Sequence, residues 1–132
     1  MSASEAKPPD YRRLILVVDD EAAIRTMVAK VLGSHYRVAA VPGPHEALAF
    51  AAQQEQVSLL LLDVMMPGMD GFELAKRLRL VPSCTKTPIV FLTARDTAGD
   101  KIRGIQAGAR NYITKPFGID DLTARVKKVL GD

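Results

Sequence analysis

Three apolar runs in this chain each end abruptly on a polar residue: LILVV at Asp19, LLLL at Asp63 and IVFL at Thr93. A run that is apolar at every position has no face to give to water. It suits a strand covered on both sides, which is the situation of a parallel sheet with helices packed on each face. This feature narrows the fold more than any other, because a parallel sheet needs a long crossover between each pair of neighbouring strands.

The segments between the runs supply those crossovers. The first strand is expected over Arg12 to Val18. Ile24, Met27, Val28, Val31 and Leu32 then fall on one helical face, stopped by Gly33. A second strand follows from Tyr36 to Val41, then a Pro-Gly-Pro turn whose Pro44 suits a helix start. An Ala-rich helix runs on through Gln54, with Ala47, Leu48 and Ala51 on one face. The third strand, Ser58 to Leu62, leads to Asp63. Asp70 can cap a helix from about Gly71 to Leu80, with Leu74, Ala75 and Leu78 inward. The fourth strand is Ile89 to Leu92, ending at Thr93. A helix carrying Ile102 and Ile105 closes at Gly108, and Gly104 within it marks either close packing or a mobile helix. A short fifth strand, Arg110 to Ile113, precedes Lys115-Pro116. Ile119, Leu122, Val126, Val129 and Leu130 mark the last helix. The expected architecture is α/β, a doubly wound (βα)5 unit with five parallel strands and helices on both faces.

At 132 residues, 48% hydrophobic and 25% charged, the chain suits one packed domain. Residues 1–11 are expected to be a disordered lead and 12–131 the domain; the loose lead and Met1 are expected to mark a true start. No apolar stretch is long enough for a membrane span or a signal peptide. One cysteine, Cys84, excludes an intrachain disulfide framework, and it is expected in a loop. Cytoplasmic location follows as an expectation. The net charge of +3 comes from scattered basic residues without an aromatic surface, so direct nucleic-acid binding is not expected. His35 and His45 have no ligand-like spacing and are expected at the surface.

In a doubly wound sheet, sites form at the carboxyl ends of the strands. Asp19, Asp20 and Glu21 follow the first strand, Asp63 the third, Thr93 the fourth and Lys115 the fifth. Each alone is an ordinary cap or surface charge. Together they bring several carboxylates and a lysine to one edge. Two like charges about 4 Å apart cost roughly 4 kcal/mol at an effective dielectric near 20. A cation relieves that cost, and Mg²⁺ favours one or two carboxylates with waters and a phosphate oxygen. The set therefore suggests metal-dependent phosphoryl chemistry.

These residues carry a resemblance. By LILVVDDE, LLLDVMMPGMDG, PIVFLTA and GIQAGARNYITKPF, the chain resembles the receiver domains of two-component response regulators over residues 12 to 130. The resemblance implies a flavodoxin-like strand order 2-1-3-4-5. It implies a switch that accepts a phosphoryl group on Asp63 from a histidine kinase or histidine phosphotransfer protein and regulates an unknown output protein or domain. Asp20 would ligate Mg²⁺ (or Mn²⁺) directly, Asp19 through water, Asp63 directly and Met65 through its backbone carbonyl. Lys115 and Thr93 would contact the phosphoryl group, Tyr112 would be the switch aromatic, and the Lys115-Pro116 bond would be cis. Such a domain is not an enzyme in the usual sense, although it would catalyse its own phosphorylation and dephosphorylation. A monomer or a weak phosphorylation-linked dimer is expected, with no membrane partner.

Some positions depart from the family pattern. Arg110 and Asn111 stand where many relatives carry acidic residues that support symmetric dimers. Met65 and Arg95 should flank the path of the hydrolytic water. Met65 cannot orient water, so a longer-lived phosphoryl group than in fast chemotaxis-type switches is expected. A haloacid-dehalogenase-type phosphatase would need an acid two residues after Asp63, where Met65 stands. A flavodoxin-like carrier would need a Ser/Thr/Gly-rich loop where Asp-Asp-Glu stands. A pseudo-receiver, an interaction module that takes no phosphate, would normally lack one of the key residues, and none is missing.

Overall fold

The apolar runs become five parallel strands: β1 (Leu14–Val18), β2 (Arg37–Val41), β3 (Leu59–Asp63), β4 (Ile89–Thr93) and β5 (Ala109–Thr114). They lie in the order β2-β1-β3-β4-β5. The crossovers are α1 (Ala22–Leu32), α2 (Pro44–Ala52), α3 (Gly71–Leu78), α4 (Ala98–Gln106) and, after β5, α5 (Ile119–Leu130). The computed structural model describes residues 10–94 and 98–132. Residues 1–9 of the expected lead, and Arg95, lie outside the described residues.

Successive strand residues serve opposite faces, the two-residue period of a pleated strand. Leu14, Leu16, Val18, Leu60, Leu62, Ile89 and Phe91 pack with Ala47 and Ala51 of α2 and with Phe72, Leu74, Ala75 and Leu78 of α3. Ile15, Val17, Leu59, Leu61, Val90, Leu92 and Ile113 pack with Val28 and Leu32 of α1 and with Leu122 and Val126 of α5. Each fully buried Leu, Val or Ile contributes about 1.5–3 kcal/mol by leaving water. The sheet is thus pinned from both sides. The strand order reverses between β1 and β3, so their carboxyl ends flank a crevice.

Element edges differ from the sequence expectation where side chains find better partners. β1 starts at Leu14, because the Arg12 guanidinium pairs with Asp10 and donates to the Gly33 carbonyl at 2.9 Å. α3 stops at Leu78, leaving Leu80 85% exposed. The Arg79 guanidinium donates to the Cys84 and Thr87 carbonyls, holding a 3-10 turn at Pro82–Cys84. Cys84, expected in a loop, is therefore buried. Ser83 Oγ donates to the Ala51 carbonyl at 2.7 Å and Thr87 Oγ1 to the Val57 carbonyl at 2.6 Å, so the polar groups of this turn are satisfied. Burial pushes the Cys84 thiol above its ordinary range. His35 and His45 are exposed. Among the described residues no helix is long and apolar enough to cross a membrane.

Candidate functional site

Asp19 immediately follows β1 and is fully buried. Its backbone N–H donates to the Val41 carbonyl, continuing the ladder one step past the strand. Its Oδ1 accepts from the Glu21 N–H at 2.9 Å, the local bond that turns the chain toward α1. Arg25, on α1, donates to the Asp19 carbonyl at 2.8 Å. Asp20 and Glu21 project from this turn and are exposed. Asp63 is the last residue of β3 and only 3% exposed. The four carboxylates of Asp19, Asp20, Glu21 and Asp63 each place an oxygen within 4.8 Å of the others.

Gly71 explains how Asp63 is held in this position. Its N–H donates to the Val64 carbonyl at 2.8 Å, and a Cβ at Gly71 would collide with the Asp63 carbonyl. Only a glycine lets α3 start this close to the end of β3. Asp70 then caps α3, its Oδ1 accepting from the Glu73 N–H at 2.9 Å.

Lys115 enters from the other side. It follows β5, its N–H donates to the Thr93 carbonyl at 2.8 Å, and the Lys115-Pro116 bond is cis. Its Nζ lies 2.8 Å from Asp19 Oδ2, 3.1 Å from Glu21 Oε1 and 3.7 Å from Asp63 Oδ2. Thr93, the last residue of β4, is fully buried.

The electrostatics follow from this crowding. Burial pushes the Asp63 carboxyl up to about 7, the negative charge of Asp19 adds to the rise, and Lys115 opposes it. Burial alone would lower the Lys115 ammonium; its close contact with Asp19, its hydrogen bond to Glu21 and the charge of Asp63 outweigh burial and hold it above its ordinary value. One lysine thus faces four carboxylates. Asp19 Oδ2 is buried and accepts no well-aligned hydrogen bond, though Lys115 lies beside it. A buried, under-satisfied oxygen within an all-oxygen donor set fits a hard divalent cation.

Met65 is 55% exposed, and its backbone N–H points to Asp63 Oδ1 at 3.4 Å. With Asp20, Val64, Met66, Pro67 and Asp70 it lines a cleft of about 440 Å³ beside the carboxylates. Tyr112 is half-buried in β5, its ring 6.2 Å from that of Phe91, which in turn stands edge-on to Phe72 at 4.9 Å. A Cβ on Gly104 would sit 3.4 Å from both the Phe91 and Tyr112 rings, so close packing accounts for that glycine. Arg110 is exposed, whereas Asn111 accepts from Arg125 at 2.9 Å. Asn111 therefore ties β5 to α5 within the chain.

Two contacts were not foreseen. Glu21 stood out only as part of an acidic run, and its bond to Lys115 carried no sequence signal. Arg103 of α4 lies 3.2 Å from Asp70 Oδ2 and 4.3 Å from the centre of the Phe72 ring, a link that only folding creates.

The comparisons with known proteins agree with this geometry. The family described as the response regulator receiver domain matches residues 15–127. The response regulator PleD of Caulobacter vibrioides is 47% identical over 117 residues, covering 87% of this chain and 25% of PleD. The solved structure of the chemotaxis protein CheY4 of Vibrio cholerae has a TM-score of 0.85 at 34% identity, covering 90% of this chain and 99% of that one. The receiver domain of a sensor histidine kinase from Pseudomonas aeruginosa PAO1, solved with magnesium in its active-site cleft, has a TM-score of 0.80 at 30% identity, covering 92% and 99%. The chain spans a quarter to about half the length of the curated relatives it matches.

Proposed function

The chain belongs to the response regulator receiver family of two-component signalling, and from that premise we propose that Asp63 is its phosphoacceptor. The observation that carries this reading is the convergence on Asp63, at the carboxyl end of β3, of Lys115 from after β5 and three further carboxylates from after β1. In the reaction, an Asp63 carboxylate oxygen attacks phosphorus. The P–N bond of a phosphohistidine breaks, and the leaving imidazole nitrogen keeps the electron pair and takes a proton from water. The donor would be a histidine kinase or a histidine phosphotransfer protein.

Such a transfer has a loose transition state, so the protein's contribution is mainly position and charge. β3 and Gly71 fix the carboxylate. Lys115 Nζ is near enough to shift onto a phosphoryl oxygen, and the Thr93 hydroxyl would donate to another. Asp19, Asp20 and Asp63, with the Met65 carbonyl, would hold Mg²⁺ or Mn²⁺, which when bound supplies positive charge for the phosphoryl oxygens. New bonds to Thr93 and Lys115 would bias a pre-existing equilibrium, with Tyr112 moving as α4 and β5 adjust. Residues 12–131 would form this unit, acting in the cytoplasm on an output partner or attached domain. The exposed Met65 side chain offers no group to orient a hydrolytic water, which favours a phosphoryl lifetime longer than seconds.

The direct test is intact mass after incubation with acetyl phosphate and Mg²⁺. The expected result is a gain of one phosphoryl group, absent in Asp63→Asn and after EDTA. An unchanged mass in the folded wild-type protein would overturn the reading.

A further inference from the structure

Glu21 is the fourth carboxylate of the cluster, and phosphoacceptor chemistry as described assigns it no task. It occupies the N-cap of α1, where a short polar side chain commonly accepts from the first amides of the helix. Asp70 does this for α3, but the Glu21 side chain makes no cap hydrogen bond. It turns instead to Lys115, Oε1 accepting from Nζ at 3.1 Å. Asp19 takes Nζ at 2.8 Å, while Asp63 at 3.7 Å is beyond hydrogen-bond distance. The ammonium therefore rests on the β1 side of the pocket.

The two holds on Lys115 differ in kind. The Asp19 side chain is fully buried and cannot exchange its partner for water. The Glu21 side chain is 59% exposed and can. Glu21 is thus the contact that can be released without leaving a buried charge uncompensated.

We propose that Glu21 is a positioning residue acting through Lys115: its carboxylate retains the ammonium on the β1 side, and this bond must open before Lys115 reaches a phosphoryl oxygen on Asp63. The proposal rests on the reading of Asp63 as phosphoacceptor. It makes Glu21 a brake on phosphoryl transfer rather than a metal ligand.

The experiment measures phosphorylation rate against acetyl phosphate concentration at saturating Mg²⁺, and against Mg²⁺ concentration at fixed acetyl phosphate, for the full chain and its Glu21→Ala and Glu21→Asp variants. Aspartate keeps the charge but is one methylene shorter, so it loses reach to Nζ. Both variants should raise the limiting rate roughly 2- to 5-fold, the range expected for release of a half-exposed ion pair. The half-saturating donor and Mg²⁺ concentrations should stay unchanged. A Glu21→Asp rate equal to wild type would overturn the proposal, because charge alone would then explain the alanine result. So would a change confined to the half-saturating donor concentration, which reports repulsion of an anionic donor. Weakened Mg²⁺ binding would make Glu21 a ligand and overturn it too, as would a lower limiting rate in both variants. A wild-type protein that takes no phosphoryl group would fail the underlying reading, and the brake with it.

Discussion

Lys115 Nζ lies 2.8 Å from Asp19 Oδ2 but 3.7 Å from Asp63 Oδ2, so the lysine is committed to the residue beside the acceptor rather than to the acceptor. This asymmetry sets the energetics of the pocket. Asp19 is fully buried and Lys115 is its neutralising partner. Asp63 is left with more negative surroundings than positive ones.

Lys115→Ala should therefore destabilise the metal-free protein by about 3 kcal/mol, the cost of leaving a buried charge without its partner. Added Mg²⁺ should recover part of the loss by binding the same carboxylates. Urea denaturation with EDTA and with Mg²⁺ tests both halves. Equal losses in the two conditions would show that Mg²⁺ does not relieve the Asp19 charge.

The raised Asp63 carboxyl predicts a pH dependence with an unusual sign. In the unfolded chain an aspartate ionises near pH 4, whereas in the folded, metal-free protein Asp63 holds its proton to about 7. Between these values the folded state binds more protons, so unfolding free energy falls as pH rises. The loss attributable to Asp63 should be about 2–4 kcal/mol from pH 4 to 7 in EDTA. Asp63→Asn should remove that slope and be the more stable protein at pH 7. Denaturation midpoints of the two proteins across this window decide it; parallel pH profiles would count against the assigned cause.

Gly71→Ala should cost about 1–3 kcal/mol, because the new methyl group meets the Asp63 carbonyl and one backbone must yield. Gly118→Ala, at a position facing open space, should cost less, about 0.5 kcal/mol through the poorer N-cap it leaves on α5. Since Gly71→Ala displaces the end of β3, it should also slow phosphorylation, whereas Gly118→Ala should not. Thermal melts and acetyl phosphate kinetics on both variants test this contrast.

Asp70→Ala should cost about 1 kcal/mol through the lost α3 cap. Its coupling to Arg103→Ala in a double-mutant cycle should stay below about 1 kcal/mol, because both side chains of the pair are more than a third exposed. A larger coupling would show that Arg103, seated over Phe72, does more to hold α4 than a surface ion pair can.

The fold was legible because its strands are marked by composition and its helices by period. Leu59 to Leu62 reads as a doubly covered strand in any context, and Leu74, Ala75 and Leu78 read as one helix face. Boundaries were less legible. Leu80 is apolar and extends the helical pattern of α3, yet the Arg79 guanidinium turns the chain away by bonding carbonyls five and eight residues onward. Cys84 carried no signal of burial, because the turn that buries it depends on those same bonds.

By itself the sequence determined which residues would stand at strand ends. An apolar run must finish where a carboxylate or hydroxyl begins, since neither is left inside without a partner. Asp19, Asp63 and Thr93 were placed by that rule, and the parallel sheet then required them to share one edge. Tertiary structure alone decided how the charges pair across that edge. Glu21 and Lys115 are 94 residues apart, and Arg103 meets Asp70 across 33. Such pairings depend on ångström-scale differences in reach from separate elements, and the Coulomb energy that selects among them is set by burial the linear chain does not contain.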